Sequence, residues 1–430
     1  MAEIFLGRGQ KDIYFKLSAI KNHGIICGAS GSGKVASAKL LIEGLFQNNV
    51  RIFGFDVSGE VSNVSQPARI NRKIVERAVS VGINNYEPGF IPVHFWHGVG
   101  HGGSNIEWGN KLRIAPLSLG PSLLANLLNL KSTQAVELSQ AFAKADAEGI
   151  VCDSLLDLPL PKGAIREKLE KFIDKASADL FQVKGVGLDD ALSAPNLYQH
   201  QCQIALLMNL AVVPRLYASL AVWALATILE HPTNTPTAVF FDEAQLIFEK
   251  DTLTSEWLDL LKLASQKGIG VFFISNTLAD IPAVLRDHIE LRIHHHIRGR
   301  SKNDIAGIEV GRIEMPLSKL DFQKAVTELH KEEALILIKG ESLSENLAEW
   351  ILVAPIQSRD EQILEDELKL ISPKSLEHAG LSNPYSDEDF IRSRIKKAAT
   401  LSLNQDDGEE QSVPLKAVKR GILGVRVERP

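Results

Sequence analysis

Cysteine is scarce in this 430-residue sequence, with three in all, Cys27, Cys152 and Cys202. They lie far apart and in apolar surroundings, which excludes a disulfide framework and any zinc-ligand spacing and suits small buried hydrophobes in a reducing cytoplasm. Long apolar runs are also missing: the most membrane-like stretch, Leu216 to Leu229, is about 14 residues against the ~20 that a spanning helix needs. The N-terminus has no charged-then-apolar signal pattern, so a cytoplasmic protein with no membrane partner is expected. Positive charge is not in excess, with 47 Lys and Arg against 53 Asp and Glu and a net charge of -6. That balance argues against a wholly basic nucleic-acid-coating protein and leaves room for a local basic face or pore. No internal repeat and no low-complexity tract is present.

What is present is an ordinary globular composition, 45% hydrophobic and 23% charged, enough for one large or two medium domains. A short β element is expected over Asp12 to Leu17 and a first core strand over Gly24 to Cys27, followed by a glycine turn and a helix from Ala36 to Phe46. Further strands are expected at Arg51 to Phe55, Pro92 to Trp96, Gln203 to Leu207, Thr237 to Glu243, Gly268 to Ser275 and Leu291 to His296. The glycine- and histidine-rich run His97 to Ser104 reads as a loop. Helical patterning near 121–130, 132–147 and 163–175 marks 121–198 as a mostly helical insertion, and Leu216 to Glu230 and Ser255 to Gln266 read as buried helices. Near-continuous apolar strands alternating with helices indicate an α/β fold with a mainly parallel sheet covered on both faces. Residues 333–339 and 347–354 would add a hairpin at its edge. The expected division is 1–120 and 199–358 as two halves of one core, with 359–430 as a helical, partly disordered C-terminal extension carrying acidic and basic runs.

The chemistry-bearing stretch is Gly28-Ala-Ser-Gly-Ser-Gly33-Lys34-Val35. Gly28, Gly33 and Lys34 stand at P-loop spacing between a strand and a helix, where peptide N–H groups from Gly28 through Ser30, Gly31, Ser32 and on to Ala36 surround phosphates. Position 35 calls for a Ser or Thr hydroxyl on Mg²⁺ and holds Val35. Asp242-Glu243 closes a buried strand, where one carboxylate can hold Mg²⁺ through water and the next can polarise an attacking water. The plainer account is an acidic pair opening a helix. Asp56 and Glu60, after another strand, either face the phosphates or cap the following turn. Asn276, after the strand Val271 to Ile274, sits where a γ-phosphate sensor would, or in a plain turn. Arg292 and Arg298 flank His294-His295-His296, and in a ring one of them would reach a neighbour's nucleotide as an arginine finger, the alternative being ordinary ion pairs. Three successive histidines on a strand point to alternate faces, which disfavours a metal site.

These residues carry a family resemblance. Asn22-His23-Gly24 leading into the P-loop, Asp56-x-x-Gly59, Phe95-Trp96, Gly120-Pro121, Thr133-Gln134, Pro214-Arg-Leu-Tyr217, Phe240-Phe-Asp-Glu-Ala244, Gly268-Ile-Gly-Val271, Asp280-Ile-Pro282 and Arg420-Gly-Ile-Leu-Gly424 occur in order along most of the chain. The sequence resembles the HerA-like members of the HerA/FtsK group of RecA-fold motor ATPases, most closely the bacterial proteins labelled helicase HerA-like. The resemblance implies a RecA-like P-loop NTPase core that binds ATP and Mg²⁺, with Lys34 on the phosphates, Asp242 near the metal and Glu243 as base. It also implies a hexameric homo-oligomer acting on DNA, in archaeal relatives beside a nuclease. Departures are Val35 for Thr, Asn276 for Gln, and Ser58 and Glu60 beside Asp56. The expected function is a DNA translocase or helicase-type ATPase with hydrolysis weakened by Val35, and the alternative is a non-hydrolysing nucleotide-binding scaffold.

Overall fold

The computed structural model describes residues 2–97, 109–111, 114–176, 180–181, 202–207, 215–231, 235–248, 253–297, 326–339, 347–360 and 421–422. In chain order the elements are β1 (Glu3–Arg8), β2 (Asp12–Lys16), β3 (Gly24–Cys27), α1 (Lys34–Gln47), β4 (Arg51–Asp56), α2 (Arg72–Ser80), β5 (Gly89–Phe90), β6 (Val93–His97) and β7 (Asn110–Lys111). Helices α3 (Gly120–Leu127), α4 (Ser132–Glu148) and α5 (Ala164–Ala176) follow, then β8 (Cys202–Leu206), α6 (Leu216–Glu230), β9 (Thr237–Phe241), α7 (Gln245–Phe248) and α8 (Thr254–Gln266). The remainder is β10 (Ile269–Ser275), α9 (Ala283–Arg286), β11 (Leu291–His294), β12 (Glu333–Ile338), β13 (Leu347–Val353) and β14 (Gly421–Ile422).

One 12-stranded sheet organises the chain in the order β2-β1-β13-β12-β11-β3-β10-β9-β4-β8-β6-β7. From β11 to β7 every pairing is parallel, and from β11 to β2 every pairing is antiparallel. The hairpin β12–β13 is therefore not the edge expected from its sequence. It is sandwiched between β11 and β1, and the N-terminal β1–β2 pair closes the sheet instead.

The parallel strands read as unbroken apolar runs because both faces are covered. Successive residues Ile25 and Ile26, Phe240 and Phe241, and Phe272 and Phe273 each divide between two separate cores. One core lies under α1 and the N-terminal strands. The other lies under α3 to α6 and α8. Helix α6 is apolar around its whole circumference, as a helix enclosed by protein must be, and packs with α3 and α8. Among the described residues, no helix is long and apolar enough to cross a membrane.

Register sets up the site. Cys27 at the end of β3 is level with Ser275 of β10 and with His294 of β11, while Phe273 is level with Phe241 and Phe241 with Phe55. The segments that leave β3, β10, β11, β9 and β4 therefore emerge side by side at the carboxyl end of the parallel strands, where open α/β sheets place ligands.

Candidate phosphate-loop site

The loop from Gly28 to Gly33 is pinned to its neighbours by main-chain bonds. Gly28 N–H donates to the Ser275 carbonyl at 3.2 Å and Ala29 N–H to that of His296 at 2.9 Å. Gly33, the N-cap of α1, has φ 102° and offers no side-chain cap. A Cβ there would also lie 2.5 Å from the Lys331 carbonyl oxygen, so both backbone angle and space require glycine. The first N–H groups of a helix have no acceptor within it, and without a capping side chain those at Lys34, Val35 and Ala36 remain for an anion.

Lys34 is buried, and its Nζ donates to Asn276 Oδ1 at 3.1 Å. Asn276 thus stands at the phosphate loop, in the position the sequence suggests for a γ-phosphate sensor. Beneath the loop, His295 touches Gly28 and Gly33, and its Nε2 lies 2.8 Å from Ser37 Oγ. Burial pushes the His295 imidazole down to about 4, so it is neutral at pH 7. Its partner His294 faces the other way, with Nδ1 3.1 Å from the Cys27 thiol.

The acidic strand end is held from three sides. Asp242 N–H donates to the Phe55 carbonyl at 3.0 Å, Ala244 N–H to that of Ile274 at 2.8 Å, and the buried Tyr217 hydroxyl to the Asp242 carbonyl at 2.7 Å. Asp242 Oδ2 accepts from Ser58 N–H at 2.9 Å and Val57 N–H at 3.3 Å, whereas Oδ1 is buried with no hydrogen-bond partner. Glu243 has φ 49°, a left-handed conformation uncommon outside glycine. Its carboxylate accepts from the Gln245 side chain, whose own Oε1 accepts from the Ser275 hydroxyl at 3.0 Å. Burial, and then the charge of Asp242, raise the Glu243 carboxyl.

Asp56 resolves toward the capping role. It accepts from Gly59 N–H at 2.8 Å, from Ser62 N–H at 2.7 Å and from the Ser62 hydroxyl at 2.6 Å, and burial beside Asp242 raises its carboxyl. Arg292 lies within β11 at 3% exposure and donates to the Arg286 carbonyl at 2.8 Å. Its guanidinium is thus engaged by the main chain of its own subunit. Arg298, like the run 98–104 and nearly all of the C-terminal extension, lies outside the described residues.

Two features were not anticipated from sequence. The segment 354–360 forms a strap across α1. Glu43 accepts from Gln357 N–H, Ser358 N–H and the Ser358 hydroxyl at 3.0, 2.9 and 2.5 Å, and Lys39 Nζ donates to the Arg359 carbonyl at 2.7 Å. Between this strap, α2 and the loop is a cavity of about 390 Å³ that opens at Gly33 and Ala36 and carries Arg69, Lys73, Arg77 and Lys331 together with Glu76, Glu332 and Asp360. Helix α2 is not among the expected elements, although Ile74, Val75, Ala78 and Val79 recur at helical spacing and Asn71, whose side chain caps it by accepting from Ile74 N–H at 3.0 Å, is a start signal.

The loop, Lys34 and the adjoining cavity fit a nucleotide. They fit a magnesium ion less well. Val35 is 8% exposed, offers no oxygen and joins the apolar cluster of Ile26, Ile293 and Ile336, and the Ser37 hydroxyl is engaged by His295. Asp242 Oδ1 is the oxygen that remains open to a cation.

Three solved structures share this architecture. VirB4 of Thermoanaerobacter pseudethanolicus is 16% identical with a TM-score of 0.54, over 83% of this chain and 98% of that one. The bacterial conjugative coupling protein TrwBΔN70 is 11% identical with a TM-score of 0.54, over 82% and 90%, and TrwB in complex with ADP and Mg²⁺ is 12% identical with a TM-score of 0.51, over 83% and 89%. At these identities the likeness establishes the fold, a RecA-like P-loop NTPase core. No curated protein sequence matches. The model of the family described as "Helicase HerA-like C-terminal" matches residues 2–160 and 158–411, nearly the whole chain, and the protein belongs to that family.

Proposed function

We propose that this protein binds ATP on the loop from Gly28 to Ala36 and acts as a HerA-like motor ATPase on DNA, with hydrolysis slowed by Val35. The observation that carries the reading is the Lys34–Asn276 hydrogen bond. It joins the phosphate-binding lysine to the polar residue after β10, the strand lying between the P-loop strand and the acidic strand. Lys34 and the N–H groups of Ser30, Gly31, Ser32, Gly33, Val35 and Ala36 hold the phosphates, and Asn276 reads the terminal one. Glu243 orients the attacking water, and its raised carboxyl pKa is in the direction a general base needs. Asp242 Oδ1 is available to magnesium through water, and no step of this reading is routed through that ion.

TrwB has been solved with ADP and Mg²⁺ and with non-hydrolysable ATP and GTP analogues, which supports a nucleotide at the corresponding place here. A hexameric ring, Arg298 as the residue reaching across it, a DNA substrate and a nuclease-type partner rest on the family resemblance. In this reading 1–120 and 199–358 are the two halves of the motor core, 121–198 is its helical insertion and 359–430 its extension.

Val35 favours one competing reading, a scaffold that binds nucleotide without hydrolysing it. Steady-state ATP hydrolysis with and without DNA separates the two. The motor reading expects turnover in the parent protein, stimulated by DNA and abolished by Glu243→Gln. A silent parent that gains turnover through Val35→Thr leaves the scaffold reading.

A further inference from the structure

We propose that protein cations, and not a divalent metal, balance the charge of the bound nucleotide, so that this site retains a nucleoside diphosphate equally well with and without magnesium. The inference rests on the nucleotide-binding reading above and goes past it to the ionic requirement of the site.

The first part of the argument is what the metal would lose. In a P-loop the hydroxyl after the lysine is a direct magnesium ligand. Magnesium demands a near-octahedral set of oxygens and gives up its waters reluctantly, so each protein oxygen it loses weakens its hold on the site. Val35 removes that oxygen. The nearest candidate replacement on α1, Ser37, has its hydroxyl 2.8 Å from His295 Nε2, and the buried ring is wedged against Gly28 and Gly33. Recruiting Ser37 would break that bond inside a packed loop. Asp242 contributes one open oxygen, because its other is bonded to the Val57 and Ser58 N–H groups.

The second part is what replaces the metal. Lys34 is already fixed at the loop by Asn276. The cavity that opens beside Gly33 and Ala36 adds Arg69, Lys73, Arg77 and Lys331. Arg77 Nε is buried with no hydrogen-bond partner, so a phosphate or ribose oxygen there would satisfy a donor now left unpaired. Guanidinium groups also suit phosphate geometrically. The acids of the same cavity, Glu76, Glu332 and Asp360, partly offset these cations, and Asp360 lies 3.5 Å from Lys39 and 3.9 Å from Lys331.

The test is equilibrium titration of the full-length protein with a fluorescent ADP analogue, in magnesium and in EDTA. The proposal expects dissociation constants within about threefold of each other for the parent, a difference under 1 kcal/mol. Val35→Thr, which restores the hydroxyl, should open a gap of about tenfold or more, tighter in magnesium. Lys73→Ala, at an exposed position, and Arg77→Gln should weaken binding by similar factors in both conditions. A parent that loses about tenfold or more on chelation overturns the proposal while leaving nucleotide binding intact. If both cavity variants bind as the parent does, the assignment of the compensating charge is overturned. Absence of binding in either condition, matched by Lys34→Ala, would instead remove the nucleotide reading beneath it.

Discussion

Ser37 Oγ and His295 Nε2 lie 2.8 Å apart beneath the phosphate loop, joining the first turn of α1 to the residue that follows β11. The contact explains a histidine that sequence alone leaves idle: His295 is a wall of the loop. Its neutral form is what the packing accepts, since burial holds it down at about 4. The unfolded chain takes up this proton from about 6.5 downward, whereas the folded one resists until about 4. Stability from this group is complete above pH 6.5 and is lost progressively as pH falls toward 4. His295→Gln, which retains a polar partner for Ser37, should flatten the stability-versus-pH slope in that window by up to about 1.4 kcal/mol per pH unit. Urea unfolding of parent and variant at pH 7 and pH 5 checks it: the difference between them should narrow at pH 5.

The Lys34–Asn276 bond makes a separate prediction at the same loop. Lys34→Ala removes the charge proposed to meet the phosphates and should weaken nucleotide binding by about 1.5–3 kcal/mol, the range of a hydrogen bond to a charged group. Asn276→Ala leaves the ammonium but frees it from its tether, and a smaller loss of about 1 kcal/mol is expected. Calorimetric titration of the two variants orders them. Equal affinity of Lys34→Ala and the parent would contradict the site assignment.

Much of this architecture was legible in sequence, for reasons that residues make plain. Strand β3 and helix α6 fall where patterning places them, because buried strands and an enclosed helix are written as continuous apolar runs. The sheet order was not legible. Residues 333–338 and 347–353 look like any edge hairpin, and nothing local says that β1 will add outside them. Helix α2 carries Ile74, Val75, Ala78 and Val79 at helical spacing, yet Ala78 alone of its residues is buried, so its apolar period does not mark a core-facing stripe. At the site, P-loop spacing and two strand ends single out Lys34, Asp242 and Asn276, and the fold brings Lys34 and Asn276 into contact. Spacing could not separate the two roles open to Asp56, nor show that Arg292 is enclosed, since both depend on partners distant in sequence. Pro214 to Tyr217 is part of the family pattern, yet only the fold reveals that the Tyr217 hydroxyl supports the Asp242 carbonyl.

That support is testable. Tyr217 is fully enclosed, and Tyr217→Phe keeps its packing while removing one hydroxyl. The Asp242 carbonyl then lacks a donor in a dry environment, with an expected cost of about 1–2 kcal/mol in stability. Because the carbonyl precedes the left-handed Glu243, loosening it should lower ATP turnover more than nucleotide affinity. The two are separated by comparing kcat with the dissociation constant of ADP.

The strap over α1 offers the sharpest stability prediction. Glu43 is buried, and its carboxylate satisfies three donors from Gln357 and Ser358, while Lys39, four residues earlier on the same helix face, holds the next carbonyl. Burial raises Glu43 and lowers Lys39, and the hydrogen bonds from Gln357 and Ser358 to Glu43 and the charge of Asp360 beside Lys39 oppose those shifts. Glu43→Ala leaves those donors unpaired beside a buried ammonium, and losses of about 3–5 kcal/mol are expected, as for a broken buried charge network. Glu43→Gln keeps an acceptor and should cost less. Limited proteolysis gives the local readout: cleavage near 354–360 should appear in Glu43→Ala well below its global unfolding midpoint. If strap and core become susceptible together, the strap is an integral part of the core and not a separable clamp on the P-loop helix.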